Sequence, residues 1–227
     1  MEKLQGIFWY GDFENYYLGH QFSEIYKDRI YEPYLEKVKD AVVLDIGANI
    51  GVFTLYASKY AKQVYSVEPS LTHFNALSEM IKVNQLNNVK AIRKALFIDN
   101  DKTYDLWHNP NKTMYSLHQA VSDGTPPEKV QTISLDKLFE DEKIEHCHLL
   151  KLDIEGTEVE VVSSSGFAKV SDKVDAVVGE THGWSGRHPN QLIDAFKQNG
   201  FIVETIPGDA QLFVAKKPGS KNIGVKV

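Results

Sequence analysis

A single cysteine, Cys147, leaves this chain without a partner for an internal disulfide, so nothing in it points to an oxidising compartment. Leu149 and Leu150 follow closely, and a buried structural thiol is expected. No window approaches the roughly 20 apolar residues needed to cross a bilayer, so no membrane span is expected. Residues 1–10 lack a basic region followed by a long apolar run, so they do not read as a signal peptide, and a cytoplasmic location is expected. Basic charge is not in excess either. Lys and Arg number 25 against 31 Asp and Glu, a formal charge of −6 that disfavours a broad nucleic-acid-binding face. There are no repeats and no low-complexity tracts.

What is present is average for a globular protein: 42% hydrophobic and 25% charged residues over a length that suits one domain, read as 1–227. Five short apolar segments, 41–46, 64–67, 89–97, 148–153 and 174–179, read as strands alternating with helical patterns. Helix is expected over 50–61, with Phe53, Ala57 and Tyr60 inward, and again where Leu71, Phe74, Leu77 and Ile81 recur at spacings of three and four. A third helix is expected over 157–165, with Thr157 and Glu160 as a capping box and Gly166 as its stop. A fourth, over 190–199, turns Leu192, Ile193 and Phe196 to one side and is stopped by Gly200. Segments 201–206 and 212–216 flank a Pro-Gly-Asp turn and read as a closing antiparallel pair.

Alternating strands and helices imply a mostly parallel α/β sheet covered on both faces, here seven-stranded with a C-terminal antiparallel hairpin. Two regions break the rhythm. Residues 1–40 are expected to be helical; their Tyr10, Phe13, Tyr16, Tyr17, Tyr26, Tyr31 and Tyr34 either pack a helix on the sheet or line a lid. Residues 100–134 read as an irregular or short-stranded insertion that could meet substrate, and 219–227 as a loose tail.

Asp45-Ile-Gly47-Ala48-Asn49-Ile-Gly51 falls at a strand-to-helix turn, where ligands of open α/β sheets bind. A dinucleotide fingerprint would need Gly-x-Gly-x-x-Gly; counted from Gly47, the second position is Asn49 and the third Val52, so that reading fails. Asp-x-Gly-x-x-x-Gly suits a methyltransferase turn, where no pyrophosphate must be cradled. Glu68 ends the second strand roughly 20 residues beyond Gly47, where a carboxylate can accept both ribose hydroxyls. NAD proteins place an acid similarly, so Glu68 alone does not discriminate.

The blocks Val42-Val-Leu-Asp45-Ile-Gly47-Ala48-Asn49-Ile-Gly51-Val-Phe-Thr54, Val67-Glu68-Pro69-Ser70, Lys94-Ala95-Leu96, Ile133-Ser-Leu135-Asp136 and Leu150-Lys151-Leu152-Asp153-Ile154-Glu155-Gly156 occur in this order. Together they resemble the FkbM family of S-adenosylmethionine-dependent methyltransferases, over roughly residues 40–180, and imply a Rossmann-like class I methyltransferase fold. By that resemblance Gly47, Ala48, Asn49 and Gly51 shape the methionine part of the site, with Asp45 near its amino group. Glu68 holds the ribose with Ser70 beside it, Ala95 borders adenine, and Asp153 faces the cofactor's amino acid or the acceptor. The implied activity is O-methylation of a sugar, glycolipid or small secondary metabolite, with S-adenosylmethionine as cofactor and a small-molecule or glycan acceptor as partner. RNA methylation on the same fold and a non-catalytic cofactor-binding module are the alternatives. The acidic balance, and the lack of an Asn-Pro-Pro-Tyr-like tetrad after the fourth strand, argue against nucleic-acid and amine acceptors.

A hydroxyl is a poor nucleophile until its proton is removed, so such an acceptor calls for a general base or a metal. The fourth strand ends in Asp153-Ile-Glu155 and the fifth in Glu180-Thr-His182, a set of carboxylates and one imidazole on neighbouring strand ends. Two readings stay open: His182 as base oriented by a carboxylate, or a divalent ion held by Asp153, Glu180 and His182. Glu155 can equally serve as a favourable charge at a helix N-terminus. His146 and His148 are expected to be structural, His108 and His118 to lie in the substrate-facing insertion, and His188 to be a loop residue.

Overall fold

The computed structural model describes residues 2–4, 7–9, 41–109, 115–119, 122, 124–205 and 212–220. The chain begins in an antiparallel ribbon of β1 (Glu2–Leu4) and β2 (Ile7–Trp9) rather than in the expected helix. Ile-Phe-Trp is a strand-favouring run. The rest of the expected N-terminal helical or lid segment, with its seven aromatic residues, lies outside the described residues, as does the tail beyond Ser220.

The repeating unit starts at β3 (Val42–Ile46), followed by α1 (Val52–Ala57), β4 (Gln63–Val67), α2 (Leu71–Val83) and β5 (Val89–Ile92). Then come β6 (Ala95–Leu96), β7 (Thr103–His108), β8 (Tyr115–Ser116), β9 (Glu128–Ile133) and α3 (Leu135–Asp141). The chain continues through β10 (Leu149–Leu152), α4 (Glu158–Val162), α5 (Ser165–Val170), β11 (Ala176–Glu180) and α6 (Pro189–Gln198), and closes with β12 (Ile202–Thr205) and β13 (Leu212–Lys216).

Seven strands form the main sheet in the order β12-β13-β11-β10-β3-β4-β5. The run from β11 to β5 is parallel, and β13 enters antiparallel between β11 and β12, as the sequence implies. Central strands with helices on both faces should be continuously apolar. Leu149–Leu152 is buried at every position, and the lysine it contains, Lys151, is therefore conspicuous. One face packs on Phe53, Leu77 and Met80 of α1 and α2, the other on Leu138, Phe167 and Phe196 of α3, α5 and α6.

Four local expectations are revised. The third strand, expected over 89–97, splits: β5 stays in the main sheet, while β6 pairs with β9 in a four-stranded sheet ordered β6-β9-β7-β8. Arg93 and Lys94 occupy the break, bonded to Glu128 and to Asp101 and Gln131. The 157–165 helix ends at Val162, and Ser164, whose Oγ accepts from Phe167 N–H at 3.1 Å, starts a second helix with Gly166 inside it. Gly166 is no stop: it lets α5 approach Asp136, whose Oδ1 would lie 2.7 Å from an added Cβ. His188 is the N-cap of α6 in a reciprocal capping box with Gln191, a contribution of about 1 kcal/mol. On α2 the inward face is His73, Ala76, Leu77 and Met80, and Leu71 is exposed.

Candidate active site

A cleft of about 640 Å³ opens at the carboxyl ends of β3, β4 and β10. Its floor is Gly47, Asn49, Glu68 and Pro69; its roof is Ala95, Leu96, Leu106, Tyr115 and Leu117 of the second sheet, with His73; Asp153, Ile154, Glu155 and Thr157 form one edge.

The floor is a backbone construction. Gly47 at φ +76 folds the chain under β4, its N–H and that of Ala48 both donating to Val67 O at 3.0 Å. A Cβ on Gly47 would overlap the Asp153 carbonyl oxygen, so only glycine lets the two loops meet. Asn49 takes the left-handed region at φ 53, and its N–H donates to Glu68 Oε2 at 2.8 Å. Ser70 N–H donates to the other carboxylate oxygen at 2.9 Å. Burial raises the Glu68 pKa to about 7 against the pull of these two hydrogen bonds. His73 Nδ1 lies 3.9 Å from Glu68 and its ring meets Tyr115 edge-on at 4.7 Å.

Beneath the floor, Lys151 Nζ donates to Gly47 O at 3.0 Å and lies 3.2 Å from Asp153 Oδ2 and 3.6 Å from Asp45 Oδ1. Asp45 is fully buried, and its Oδ2 accepts from Thr54 Oγ1 at 2.5 Å. Burial holds its pKa above the usual carboxylate value, opposed mainly by the Lys151 charge.

The edge is acidic. Glu155, at φ 56, and Gly156, at φ +106, turn the chain after β10, held from the second sheet by Ser116 Oγ donating to Glu155 O at 2.6 Å. His118 Nε2 lies 3.0 Å from Gly156 O and its ring packs against Trp184. Behind the edge His182, 8% exposed, bridges carboxylates: Nδ1 is 2.8 Å from Glu158 Oε1, and Nε2 is 3.2 Å from Glu155 and 3.6 Å from Asp153. Burial works against the imidazolium, but the Glu158 hydrogen bond and the three negative charges outweigh it and push the His182 pKa up to about 10. Burial, then the Asp153 charge, raise Glu155 to about 8.

Of the residues singled out for the cofactor, Gly47, Asn49, Glu68, Ala95 and Asp153 line the cleft. Asp45, Ala48, Gly51 and Ser70 stand behind it. Gly51 faces Leu77 and Met80 of α2, and Ser70 caps that helix while donating to Glu68. Of the residues singled out for catalysis, Asp153 and Glu155 face the cleft and His182 backs them. Glu180 ends β11, and its charge is felt at Glu155. Among the described residues, the ligand atoms of Asp153, Glu155 and His182 lie within 4.8 Å of one another, a group that does not include Glu180. Two participants escaped the sequence reading. Lys151 stands inside a quoted motif, and its signal was a charge in a strand otherwise apolar. Glu158 accepts from Ile154 N–H and Gly156 N–H and so ties down the turn before α4, whose N-cap Thr157 makes no side-chain capping bond. Cys147 is buried, its thiol pushed well above the usual range by burial. His148 Nδ1 accepts from Val42 N–H at 3.1 Å, and His108 Nε2 lies 3.0 Å from Thr125 Oγ1.

A parallel sheet closed by an antiparallel pair, with a glycine turn after β3 and an acid after β4, defines a Rossmann-like methyltransferase fold. Solved structures share it. A putative methyltransferase from Streptococcus mutans in complex with SAH superposes with a TM-score of 0.53 at 13% identity, covering 84% of this chain and 97% of that one. An rRNA methylase from Streptococcus thermophilus gives 0.52 at 11% identity, covering 82% and 93%. The family model described as the Methyltransferase FkbM domain matches residues 45–203, and the chain belongs to that family. Hexuronic acid methyltransferase AglP of Haloferax volcanii is 28% identical over 148 residues, 65% of this chain and 58% of AglP. Methyltransferase 1 of Beauveria bassiana is 27% identical, over 62% of this chain and 64% of its own length. The chain thus spans less than two thirds of these curated relatives. Among the described residues no helix is long and apolar enough to cross a membrane.

Proposed function

We propose that the chain is an S-adenosylmethionine-dependent O-methyltransferase acting on a hydroxyl of a sugar, glycolipid or small secondary metabolite. The observation that carries this reading is one cleft with a buried carboxylate, Glu68, on its floor and the Asp153–Glu155 edge at its side. S-adenosylmethionine, when bound, supplies an electrophilic methyl group. Glu68 would accept the ribose hydroxyls in place of its own backbone donors, and the apolar wall of Ala95, Leu96 and Leu106 suits adenine. Asp153 and Glu155 would orient the acceptor hydroxyl and receive its proton, with His182 and Glu158 fixing them from behind. Such proton removal contributes about 10²–10⁴-fold. The hexuronic acid substrate in the name of AglP supports a sugar acceptor. The acidic edge disfavours a polyanion such as RNA.

Calorimetry is expected to show binding of S-adenosylmethionine and none of NAD; NAD alone binding would refute the assignment. Glu155→Gln should slow methyl transfer by about 100-fold or more while the cofactor Kd stays within about twofold. Turnover at the wild-type rate would remove Glu155 from the reaction.

Glu68 gives cofactor affinity a pH dependence. Its ionised form is the full acceptor and its pKa is about 7, so affinity should rise from pH 6 towards 8 and level off above. Glu68→Ala is expected to weaken binding at least tenfold at pH 8, the loss of a charged hydrogen bond, and to flatten that profile. An unchanged Kd would contradict the ribose role.

A further inference from the structure

We propose that Asp153, Glu155 and His182 form a divalent-cation site on the acceptor side of the cleft. Three different side chains present one ligand atom each within 4.8 Å of the others. His182 Nε2 lies 3.2 Å from Glu155 Oε2 and 3.6 Å from Asp153 Oδ1. Oxygen and imidazole ligands about 2.0–2.2 Å from a small divalent ion stand roughly 3 Å apart at right angles, so these spacings need little adjustment.

The surroundings are built for a ligand at that point. Metal-bound histidines characteristically donate their second ring nitrogen to a carboxylate, which fixes ring orientation and raises basicity. His182 does so: Nδ1 is 2.8 Å from Glu158 Oε1, and Glu158 is itself anchored by Ile154 and Gly156 N–H. Nε2 is therefore the atom presented to Asp153 and Glu155, and a cation bound there would take the place of its proton. Glu155 Oε2 is a buried oxygen whose neighbour is His182 Nε2 at 3.2 Å, so a desolvated acceptor and a ring nitrogen face the same point. Lys151 is directed to Gly47 O and Asp45 as well as Asp153, so it does not neutralise Glu155. Two carboxylates and one imidazole, with the remaining positions open to the cleft that Asp153 and Glu155 line, suit a hard ion such as Mg²⁺ or Mn²⁺.

The role in transfer rests on the hydroxyl-acceptor reading above; the binding itself does not. A hydroxyl oxygen on the ion would lose its proton more readily, that proton passing to a carboxylate of the edge as the carbon–oxygen bond forms and the carbon–sulfur bond breaks. S-adenosylhomocysteine and the methyl ether would be the products.

The test is Mn²⁺ titration of the full chain followed by electron paramagnetic resonance, without cofactor or acceptor. One Mn²⁺ per chain is expected. Asp153→Asn and His182→Ala should each weaken it by more than tenfold, and Glu158→Gln by about tenfold through the imidazole alone. Circular dichroism melts accompany each variant, and the near-isosteric Asp153→Asn and Glu158→Gln decide the matter if His182→Ala does not fold. His146, His148 and Asp175 form a second cluster at the amino ends of β10 and β11, so His146→Ala is the control and should leave the titration unchanged. No bound Mn²⁺, or binding that survives Asp153→Asn and disappears in His146→Ala, overturns the proposal. Methyl transfer to a hydroxyl at full rate in chelator, with no Mn²⁺ bound, would overturn the cation and leave the transferase. Bound Mn²⁺ with no hydroxyl ever methylated would uphold the site and defeat the O-methyltransferase reading.

Discussion

Gly47→Ala is expected to destabilise the chain by about 3 kcal/mol or more, lowering Tm by roughly 6–12 °C for a protein of this size. Two costs add. The residue sits at φ +76, where a Cβ introduces strain of about 1–2 kcal/mol, and that Cβ would overlap the Asp153 carbonyl oxygen. The clash is with backbone, not with the end of a flexible side chain, so relief requires the turns after β3 and β10 to separate. Those turns carry Asn49 on one side and Asp153 on the other, so cofactor affinity should fall together with Tm. Thermal melts with and without S-adenosylmethionine provide the check. A variant with wild-type Tm and Kd would mean that the turn is not the tight junction described.

Lys151→Met should cost about 3–5 kcal/mol, because it removes one member of a buried charge group and leaves Asp45 uncompensated. The pH dependence separates this from a simple packing loss. Asp45 is already held above its unfolded pKa by burial, and removal of Lys151, the largest opposing influence, would lift it further. An acid whose folded pKa is raised binds its proton more tightly in the native state. Its stabilising contribution is therefore complete below the unfolded value and is lost as pH rises through the folded one. The gap between wild type and variant should widen as pH rises above the ordinary carboxylate range, measured by urea unfolding. A constant gap would assign the loss to packing alone.

The sequence was legible where function is local in the chain. The Asp45–Gly51 turn, Glu68 after β4 and the Asp153–Glu155 edge are each short runs at strand ends, and four of the seven cofactor candidates they contain, Gly47, Asn49, Glu68 and Asp153, line the cleft. It was illegible where a distant segment decides. Residues 89–97 look like one strand because nothing local announces that Ala95 and Leu96 will pair with Thr132 and Ile133 instead of continuing beside β4. Thr157 and Glu160 have capping-box spacing, but the carboxylate that caps the Asp153–Gly156 turn is Glu158, which is committed there by His182 from another strand. Gly166 is not the break: Ser164 caps a second helix that carries Gly166 close against Asp136 of α3. In each case long-range packing overrode a valid local preference.

Floor and roof of the cleft come from different sheets. Gly47, Asn49 and Glu68 lie in the turns that follow β3 and β4 of the main sheet, whereas Leu106 and Tyr115 belong to the smaller one and Leu117 follows β8. Inheritance can therefore treat them separately. A replacement at Leu106 on β7 can reshape the ceiling, whereas β8 also carries Ser116, whose hydroxyl holds the acidic edge. Relatives with a common donor and unlike targets are the natural outcome of such a division of labour.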